Sequence, residues 1–295
     1  MSSQRDTFLD LVLPAYNELL ALQPAVDGVS KAMAGQPFPW GIVIADNGST
    51  DGTTELAAEL SRDRANARVV HLDAKGRGRA LRKVWCDSQA VYSLYMDVDL
   101  STELTAIPQA LGLLQAGADI VAGSRLSPQS HTRRCLKREI ISRAYNRIVR
   151  TVLGTRTFDD AQCGFKAIRV ETVRPLLGLV QDNDWFFDTE LLVLAEYAGL
   201  TVRSLPVTWT EDPNTKVHIA ATILQDLRGV VRLWRTARRR ADQWKQGRSD
   251  FASIHDGITQ PAGRVADLSC EVPETDEDQP CRGNVLVARK DSHAL

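Results

Sequence analysis

The sequence predicts an α/β fold with a mostly parallel, Rossmann-like sheet flanked by helices. Two observations lead to this prediction. Between residues 9 and 122, short runs rich in Val, Ile and Leu alternate with longer amphipathic segments, and turn residues bound each run. This alternation is typical of strands joined by crossover helices. Ligands of such sheets bind at the carboxyl ends of the strands, so functional residues are expected there.

The first part of the chain predicts five strands and four helices in alternation. The strands are Leu9–Leu13, Gly41–Ala45, Arg68–Leu72, Tyr92–Met96 and Asp119–Ala122. The helices fall near residues 17–34, 53–64, 77–88 and 105–116, and the turn Asp51-Gly52 precedes the second of them.

After residue 130 the pattern changes. Apolar residues at every fourth position from Leu136 to Val152 predict a helix with one apolar stripe. A turn-rich stretch follows (154–164), then helices near 170–179 and 188–198 and a strand near 201–207. We expect residues 1–215 to form the main domain, 216–248 a basic amphipathic helix, and 249–295 a disordered acidic tail.

A net charge of −1 conceals a segregation of charge along the chain. Residues 131–150 carry seven basic side chains against one acidic, and residues 216–248 carry nine against two. No apolar run approaches the ~18 residues that span a bilayer. The N-terminus lacks a signal-peptide core, and the five cysteines are scattered without a CxxC pair. These features predict a cytoplasmic protein.

The sharpest chemical signal is Asp97-Val98-Asp99, directly after the run Tyr92–Met96. Two carboxylates two residues apart at a strand end can hold Mg²⁺ or Mn²⁺. A metal in that position neutralises a diphosphate leaving group. Taken alone, however, the pattern is more often an ordinary acidic strand end.

Polar residues also follow the other predicted strands. Residues 14–18 and 46–52 follow the first two, and a carboxylate such as Asp46 can accept a hydrogen bond from a nucleobase. The segment Lys75–Arg79 is a glycine-opened helix start with cations, which suits a phosphate. Each segment, considered singly, is equally typical of a turn or a basic loop.

Together these segments resemble the inverting family 2 glycosyltransferases of the A-type fold, in particular the polyprenyl-phosphate (dolichyl-phosphate) glucose and mannose synthases. The resemblance covers roughly residues 7–240 and is carried by Leu13–Glu18, Ile44–Gly52, Gly76–Ala80, Met96–Thr102, Gly123–Arg125 and Asp160–Lys166. It implies an A-type glycosyltransferase fold for the catalytic domain, 1–215. It further implies metal-dependent, inverting transfer of a hexose from a nucleotide sugar to a polyprenyl phosphate.

The resemblance also implies roles for individual residues on the donor side. The residues implied to line the nucleotide pocket or face the nucleotide are Pro14, Ala15, Tyr16, Glu18, Asp46, Asp51, Lys75 and Arg77, with Asp46 at the base. Asp97 would lie near the ribose and the metal, and Asp99 would ligate the Mg²⁺ or Mn²⁺.

On the acceptor side the resemblance implies that Arg125 and the cations of residues 133–147 face the acceptor phosphate. Gln162 and Lys166 would close the site near the donor sugar or the diphosphate. Asp188, with Glu190, falls where this branch of the family has an acidic segment, although acid at a helix N-terminus is an equally good reading.

A phosphate acceptor is already anionic and needs little help from a general base. Ser101 stands where mannose-transferring relatives often have Gln, which favours UDP-glucose and leaves GDP-mannose open. Many relatives carry transmembrane helices, and this sequence predicts none. The helix 216–248 is therefore expected to pack on the domain or to lie on an anionic membrane, such as the inner face of the plasma membrane.

Two other functions remain open from the sequence. The same fold could glycosylate a soluble acceptor such as a specialised metabolite, and Asp188 or Glu190 would then be candidate bases for its hydroxyl. A non-enzymatic binder of nucleic acid or membrane would use the basic segments. Acidic strand ends repel nucleic-acid phosphates, so no nucleic-acid partner is expected.

Overall fold

The computed structural model of the protein describes residues 7–211 and 219–256, and in the second range it describes the side chains of 224–246. The strands are β1 Leu9–Ala15, β2 Trp40–Asp46, β3 Ala67–His71, β4 Tyr92–Met96, β5 Ile120–Ser124, β6 His131–Arg133, β7 Phe165–Arg169, β8 Val202–Pro206 and β9 Thr208–Thr210. The helices are α1 Leu19–Met33, α2 Thr53–Asp63, α3 Arg77–Asp87, α4 Ala106–Gln115, α5 Leu136–Leu153, α6 Val170–Leu177, α7 Phe187–Ala198 and α8 Ile219–Asp256.

A seven-stranded sheet with the order β3-β2-β1-β4-β7-β5-β8 forms the centre of the domain. Every neighbouring pair in it is parallel except those of β7, which runs antiparallel to both β4 and β5. The predicted α/β class and mostly parallel sheet are therefore confirmed. The strand order reverses between β1 and β4, and such a reversal opens a crevice at the carboxyl ends of the strands.

The antiparallel strand β7 was not predicted from the sequence. Its five residues include Lys166 and Arg169, so the run lacks the apolar character of the other central strands. Lys166 is nevertheless fully buried, and its charged partners come from distant parts of the chain. The apolar periodicity of the sequence could not reveal this strand. The carboxylate that stabilises the buried Lys166, Asp188, is brought next to it only by the fold.

Helices cover both faces of the sheet. Along β1, Leu11 and Leu13 belong to a core shared with α1, α2 and α4, while Val12 points into a second core. That second core is built with α3, α5, α6, α7 and α8. The alternation follows from the period of two in a strand, and it fixes which helices flank the crevice.

Helix α5 is confirmed, but its apolar stripe does not face the core. Leu136 and Ile140 are 78% and 66% exposed. The helix packs instead through Tyr145, Val149 and Leu153. These residues form a second apolar face, which the four-residue pattern did not single out.

Helix α8 also has two apolar faces. It packs against α7 and α5 through Val230, Leu233, Ala237, Ala241 and Trp244. It continues to Asp256, past the predicted end at 248, and the sequence 249–256 contains no Gly or Pro to stop it. The remainder of the predicted tail, 257–295, lies outside the described residues.

Within the part of the chain that the structure describes, none of the helices has the length and apolar character needed to cross a membrane.

Candidate active site

The loops after β1 and β2 are tied together at the carboxyl edge of the sheet. Ala15 pairs with Asp46 in the parallel register. The Asn17 amide donates to Ser49 Oγ (3.0 Å), and the Thr50 amide donates back to Asn17 Oδ1 (2.8 Å). Asn17 adopts a φ of +56°, a left-handed conformation that Asn tolerates better than most residues.

The predicted nucleotide-pocket residues of β1 and of the loop after it lie at this edge with different exposures and contacts. The side chain of Ala15 is fully buried, and its carbonyl accepts from the Asn47 amide (2.9 Å). Tyr16 is exposed, and Lys75 Nζ lies 4.1 Å from the centre of its ring. Pro14 is half-buried. The Glu18 amide donates to Thr53 Oγ1 (2.9 Å), which joins this segment to α2.

Asp46 anchors the loop after β2. Its carboxylate is fully buried and accepts hydrogen bonds from the Ser49 amide, Thr54 Oγ1 (2.7 Å) and His71 Nδ1 (2.7 Å). Burial disfavours the charged form, but the bonds from Ser49, Thr54 and His71 outweigh it and hold the pKa of Asp46 below its ordinary value. Contact of Asp46 with a nucleobase stays a prediction, since the structure gives the carboxylate partners within the chain.

Asp51 shapes the start of α2. Its side chain accepts from the amides of Leu19 and Thr53 and from Thr53 Oγ1 (2.5 Å). Desolvation opposes ionisation of Asp51, but these bonds together outweigh it and lower the pKa of Asp51 below its ordinary value. Asp51 therefore couples α1 to α2 beside the predicted pocket.

Asp97 and Asp99 stand at the end of β4, where the strand order reverses. Val98 between them is buried, whereas Asp99 is exposed and the Asp97 side chain is 34% exposed. The Asp99 carboxylate accepts from the Ser101 amide (2.9 Å). A Cβ on Gly164 would lie 1.6 Å from Asp97 Oδ2, so this carboxylate rests directly against the glycine backbone.

The charge environment of Asp97 is crowded. Desolvation raises the pKa of Asp97 to about 6, and the nearby charge of Asp99 adds to the rise. Arg77 opposes it and lies close, with Nη1 3.2 Å from Asp97 Oδ1. A bound cation would relieve the same repulsion between the two carboxylates.

The residues present fit a divalent metal that shares its ligands with a substrate. Among residues 7–211 and the described side chains of α8, no three His, Cys, Asp or Glu side chains cluster as a metal cage. The half-buried Asp97 and the exposed Asp99 supply two carboxylates two residues apart. Mg²⁺ is commonly bound through one or two carboxylates together with substrate phosphates, and this donor set matches that arrangement.

Beneath Asp97 lies a buried network centred on Asp188. The Asp188 carboxylate pairs with Arg77 and accepts from Tyr95 Oη (2.7 Å). Lys166 Nζ lies 3.3 Å from Asp188 Oδ1 and donates to the carbonyl of Cys163 (2.8 Å). Arg77 also stacks on the ring of Trp185, 4.2 Å away. Desolvation opposes the charge of Arg77, but Tyr95, Asp188 and Asp97 raise its pKa, so it stays protonated.

This network involves three residues with predicted roles. Lys166 is 0% exposed and serves as a counter-ion of Asp188, and its place near the donor sugar or the diphosphate stays a prediction. Asp188 and Glu190 are buried as well, and Glu190 forms ion pairs with Arg232 and Arg240 of α8. Both carboxylates are thus paired within the chain, and a role for either of them in the reaction stays a prediction.

Arg125 is also held by a partner within the chain. Its Nε and Nη2 donate to the two oxygens of Asp160 (2.7 and 2.9 Å), and its own amide donates to Asp160 Oδ2. Burial opposes ionisation of Asp160, but Arg125 outweighs it and lowers the pKa of Asp160. Arg125 is thus a neutralised cation at the end of β5, and its contact with an acceptor phosphate stays a prediction.

The basic segment 131–150 is divided between paired and exposed cations. Arg134 and Arg143 pair with Glu139, and Arg138 pairs with Glu211. Within the described residues, four exposed cations of this segment take part in no ion pair: Arg133, Lys137, Arg147 and Arg150.

Sequence reasoning missed three residues that build the site: His71, Tyr95 and Trp185. His71 bonds to Asp46, Tyr95 lies at the centre of the buried network, and Trp185 covers Arg77. The position of His71 at the end of a predicted strand was the only available signal. The partners that place Tyr95 and Trp185 in the site, Asp188 and Arg77, lie 93 and 108 residues away and left no trace in the local pattern.

The molecule has the features expected of an A-type glycosyltransferase: a doubly wound sheet, two carboxylates after its central strand and a cationic helix start beside them. The family model described as "Glycosyl transferase family 2" matches residues 10–176. The chain therefore belongs to glycosyl transferase family 2 and is a glycosyltransferase.

Several curated proteins are similar over most of the chain. Glycosyltransferase AglD of Haloferax volcanii is 34% identical over 232 residues, which cover 77% of this chain and 37% of AglD. This chain thus spans little more than a third of the length of AglD. The dolichyl-phosphate beta-glucosyltransferase of Dictyostelium discoideum is 27% identical over 241 residues, covering 77% of this chain and 73% of that protein.

Solved structures share the fold. Glucosyl-3-phosphoglycerate synthase from Mycobacterium tuberculosis in complex with uridine diphosphate matches with a TM-score of 0.60 at 19% identity, over 77% of this chain and 80% of that one. The same enzyme in complex with Mn²⁺ and UDP-glucose matches with a TM-score of 0.55 at 18% identity, over 76% and 79%.

Proposed function

We propose that the protein transfers glucose, with inversion, from UDP-glucose to the phosphate of a polyprenyl phosphate. Relatives named dolichyl-phosphate beta-glucosyltransferase support the acceptor class and the sugar, and they align over most of the chain. A neighbouring fold that holds Mn²⁺ with UDP-glucose supports the donor and the metal. GDP-mannose is the donor that the experiment below must distinguish.

The observation that carries the proposal is the state of the carboxylates at the site. A hydroxyl acceptor needs a general base to remove its proton, whereas a phosphate oxygen is already a nucleophile at neutral pH. The two candidate bases, Asp188 and Glu190, are buried and fully engaged in ion pairs. The site is therefore better suited to an anionic acceptor.

On the donor side, the chain supplies a pocket edge and charge compensation. Asp97 and Asp99 would hold Mg²⁺ or Mn²⁺, which when bound supplies positive charge to the leaving diphosphate. The loop at Lys75 adds a cation beside the exposed ring of Tyr16. Arg77 keeps Asp97 and Asp188 in place and screens their mutual repulsion.

On the acceptor side, we infer that an anionic membrane surface is the partner of one face of the molecule. This acceptor face consists of the exposed apolar residues Leu136, Ile140, Ile148 and Val152 of α5, Leu224, Leu227, Val231 and Trp234 of α8, and the exposed cations between them. On each helix these residues form an exposed stripe separate from the residues that pack on the domain. An apolar face lined by Arg is the pattern of a helix that lies in a lipid interface.

The charge of the acceptor face selects its partner. Lys137, Arg147 and Arg150 flank the stripe of α5, and Arg235 and Arg239 flank that of α8. A second protein would cover the apolar stripe but would need acidic side chains to match the cations. An anionic bilayer supplies both an apolar interior and negatively charged headgroups. A lipid-linked acceptor phosphate would be found at the same surface.

A direct assay tests the proposed reaction. The protein is incubated with Mn²⁺ or Mg²⁺, a short polyprenyl phosphate and either UDP-glucose or GDP-mannose, and the lipid is examined by mass spectrometry. We expect one hexose to be added from UDP-glucose, with the β configuration at the anomeric carbon by NMR. The matched control is the polyprenol without phosphate, which should remain unmodified. Glycosylation of that alcohol, or transfer from GDP-mannose only, would contradict the proposal.

A further inference from the structure

Helix α8 lies beyond the segment 10–176 that matches the family model, yet one of its side chains reaches a predicted site residue. Asp226 is 3% exposed, and its Oδ2 accepts a hydrogen bond from Gln162 Nε2 over 2.6 Å. Gln162 is half-buried and lies two residues before Gly164, whose backbone rests against Asp97. The contact therefore links α8 to the loop that supports the metal carboxylates.

The chemistry of this contact fixes the orientation of the Gln162 amide. An ionised carboxylate accepts hydrogen bonds and donates none, so the group of Gln162 that faces Asp226 must be its NH₂. The carbonyl oxygen, Oε1, is then turned away from Asp226. An amide without such a partner presents either end with similar ease, because its oxygen and nitrogen are nearly equal in shape.

We propose that Asp226 is a positioning residue that holds the amide of Gln162 with its carbonyl oxygen available to accept a hydrogen bond from a hydroxyl of the donor sugar. The inference rests on the proposed function, since it takes the substrate to be a nucleotide sugar. It assigns a role in the active site to a helix outside the matched family segment.

The surroundings of Asp226 hold it firmly. Arg232 and Arg240, further along α8, pair with Glu190 of α7. A Cβ on Gly229 would lie 2.6 Å from the ring of Phe186, so the two helices are in close contact one turn after Asp226. A side chain fixed in this way can in turn fix Gln162.

The second oxygen of Asp226, Oδ1, is buried without a hydrogen-bond partner among the described residues. Burial raises the pKa of Asp226 to about 6, the bond from Gln162 opposes this rise, and Asp182 adds to it. Arg77 also opposes it, and Tyr145 of α5 lies close enough to interact electrostatically with Asp226. A protonated carboxyl can donate through its O–H as well as accept, so the amide of Gln162 would no longer have one preferred orientation.

The experiment is a double-mutant cycle at pH 7.5 and pH 5.5 with Asp226→Ala, Gln162→Ala and the double variant. The exposed Asp242→Asn on the same helix is the matched control. We expect each single variant to lower kcat by about tenfold to a hundredfold, because a small misplacement of a substrate-contacting group has effects of this size. The kcat of the double variant should be no lower than that of Gln162→Ala alone, since Asp226 acts through Gln162.

Three results would overturn the proposal. Two are full activity of Asp226→Ala and full activity of Gln162→Ala. The third is a fall in kcat in the double variant that equals the product of the two single falls. A variant that fails to fold is recognised by its circular dichroism, and Asp226→Asn then replaces Asp226→Ala. We expect Asp226→Asn to keep the contact through its own carbonyl oxygen and to retain part of kcat. Because Asn does not titrate, the kcat of this variant should be the same at pH 7.5 and at pH 5.5.

A second readout does not need turnover. In ¹H–¹⁵N spectra of the full chain, the side-chain NH₂ of Gln162, assigned by its disappearance in Gln162→Ala, should shift on Asp226→Ala and remain in place on Asp242→Asn. An unmoved NH₂ resonance would contradict the contact. If the shift is seen while the unmodified protein transfers no sugar, the positioning contact stands and the proposed reaction fails.

Discussion

Arg125 and Asp160 form an enclosed ion pair at the end of β5, with three hydrogen bonds onto one carboxylate. Removal of the carboxylate leaves a guanidinium that is only 13% exposed without its counter-charge. We therefore expect Asp160→Asn to lower the free energy of unfolding by about 3–5 kcal/mol, as measured by urea denaturation. Asp63→Asn at the exposed end of α2 should change it by less than about 0.5 kcal/mol.

The pH dependence of this effect has a definite sign. Arg125 lowers the pKa of Asp160 in the folded protein below the ordinary value. The stability that this pair contributes is therefore complete above the unfolded pKa of about 3.9 and is lost as the pH falls through the lower folded pKa. The difference between the unmodified protein and Asp160→Asn should stay constant from pH 7 to about 5 and shrink below about 4. A difference that grew on acidification would contradict this account.

Asp99 is the residue on which the proposed metal site depends most directly, because its carboxylate is exposed and, among the described residues, accepts a hydrogen bond from the Ser101 amide alone. We expect Asp99→Asn to lower kcat by about 10²–10³-fold, the usual effect of removing one group that stabilises developing charge. Titration with Mn²⁺ in the presence of UDP should show weaker metal binding. Glu103→Gln, an exposed neighbour four residues along, serves as the control. Equal turnover of Asp99→Asn and Glu103→Gln would rule out the metal role.

At the scale of single residues, the sequence predicted the positions of the charged groups better than their contacts. Asp97 and Asp99 were found from their position after an apolar run, because a strand end is a local feature. Lys166 and Arg125 were assigned to the donor and to the acceptor phosphate, and the structure pairs each of them with a carboxylate within the chain, Asp188 and Asp160. The local pattern did not reveal these pairs, because pairing depends on which segments become neighbours in the fold.

At the scale of elements, Gly229 allows α8 to approach α7 closely. An added Cβ would lie 2.6 Å from the ring of Phe186, so Gly229→Ala should push the helices apart and lower the free energy of unfolding by about 1–3 kcal/mol. Ala is favoured over Gly within a helix by about 1 kcal/mol, and the clash must exceed this gain. Because α8 carries Asp226, kcat should fall as well.

Gly112 provides the matched test, because it lies in helix α4 and an added Cβ meets no atom within 4 Å. Gly112→Ala should therefore raise the free energy of unfolding by about 0.5–1 kcal/mol and leave kcat unchanged. Thermal denaturation of both variants distinguishes the clash from the intrinsic preference for helix. A stabilising Gly229→Ala would show that α7 and α8 do not pack as described.

The elements that the sequence predicted well are those whose apolar pattern has a single period. The first four strands and four helices were placed to within two residues or so at most ends. Helix α5 was found, but its buried face was not, because two apolar faces compete on one helix and only packing chooses between them. Strand β7 was missed because a buried lysine interrupts its apolar run.

At the scale of the whole molecule, the near-zero net charge conceals two basic segments, which form α5 and most of α8, balanced by an excess of acidic residues in the rest of the chain. The stripe of α5 alone extends over about 24 Å. Most monomeric proteins do not expose an apolar surface of this length together with cations unless it has a partner.

The last prediction concerns binding of the acceptor face to lipid vesicles. The full chain should cosediment with vesicles that contain anionic phosphatidylglycerol and should bind neutral phosphatidylcholine vesicles at least about tenfold more weakly. Each cation near an anionic surface contributes about 1 kcal/mol, and added salt screens that attraction. The triple variant Leu136→Ser, Ile140→Ser, Trp234→Ser should lose binding to the anionic vesicles, whereas Leu20→Ser, 91% exposed on α1, should keep it. Transfer to a short polyprenyl phosphate in detergent should survive in the triple variant, because that acceptor does not require a bilayer. Equal binding of both vesicle types, or equal losses in the triple variant and in Leu20→Ser, would show that α5 and α8 do not contact the membrane.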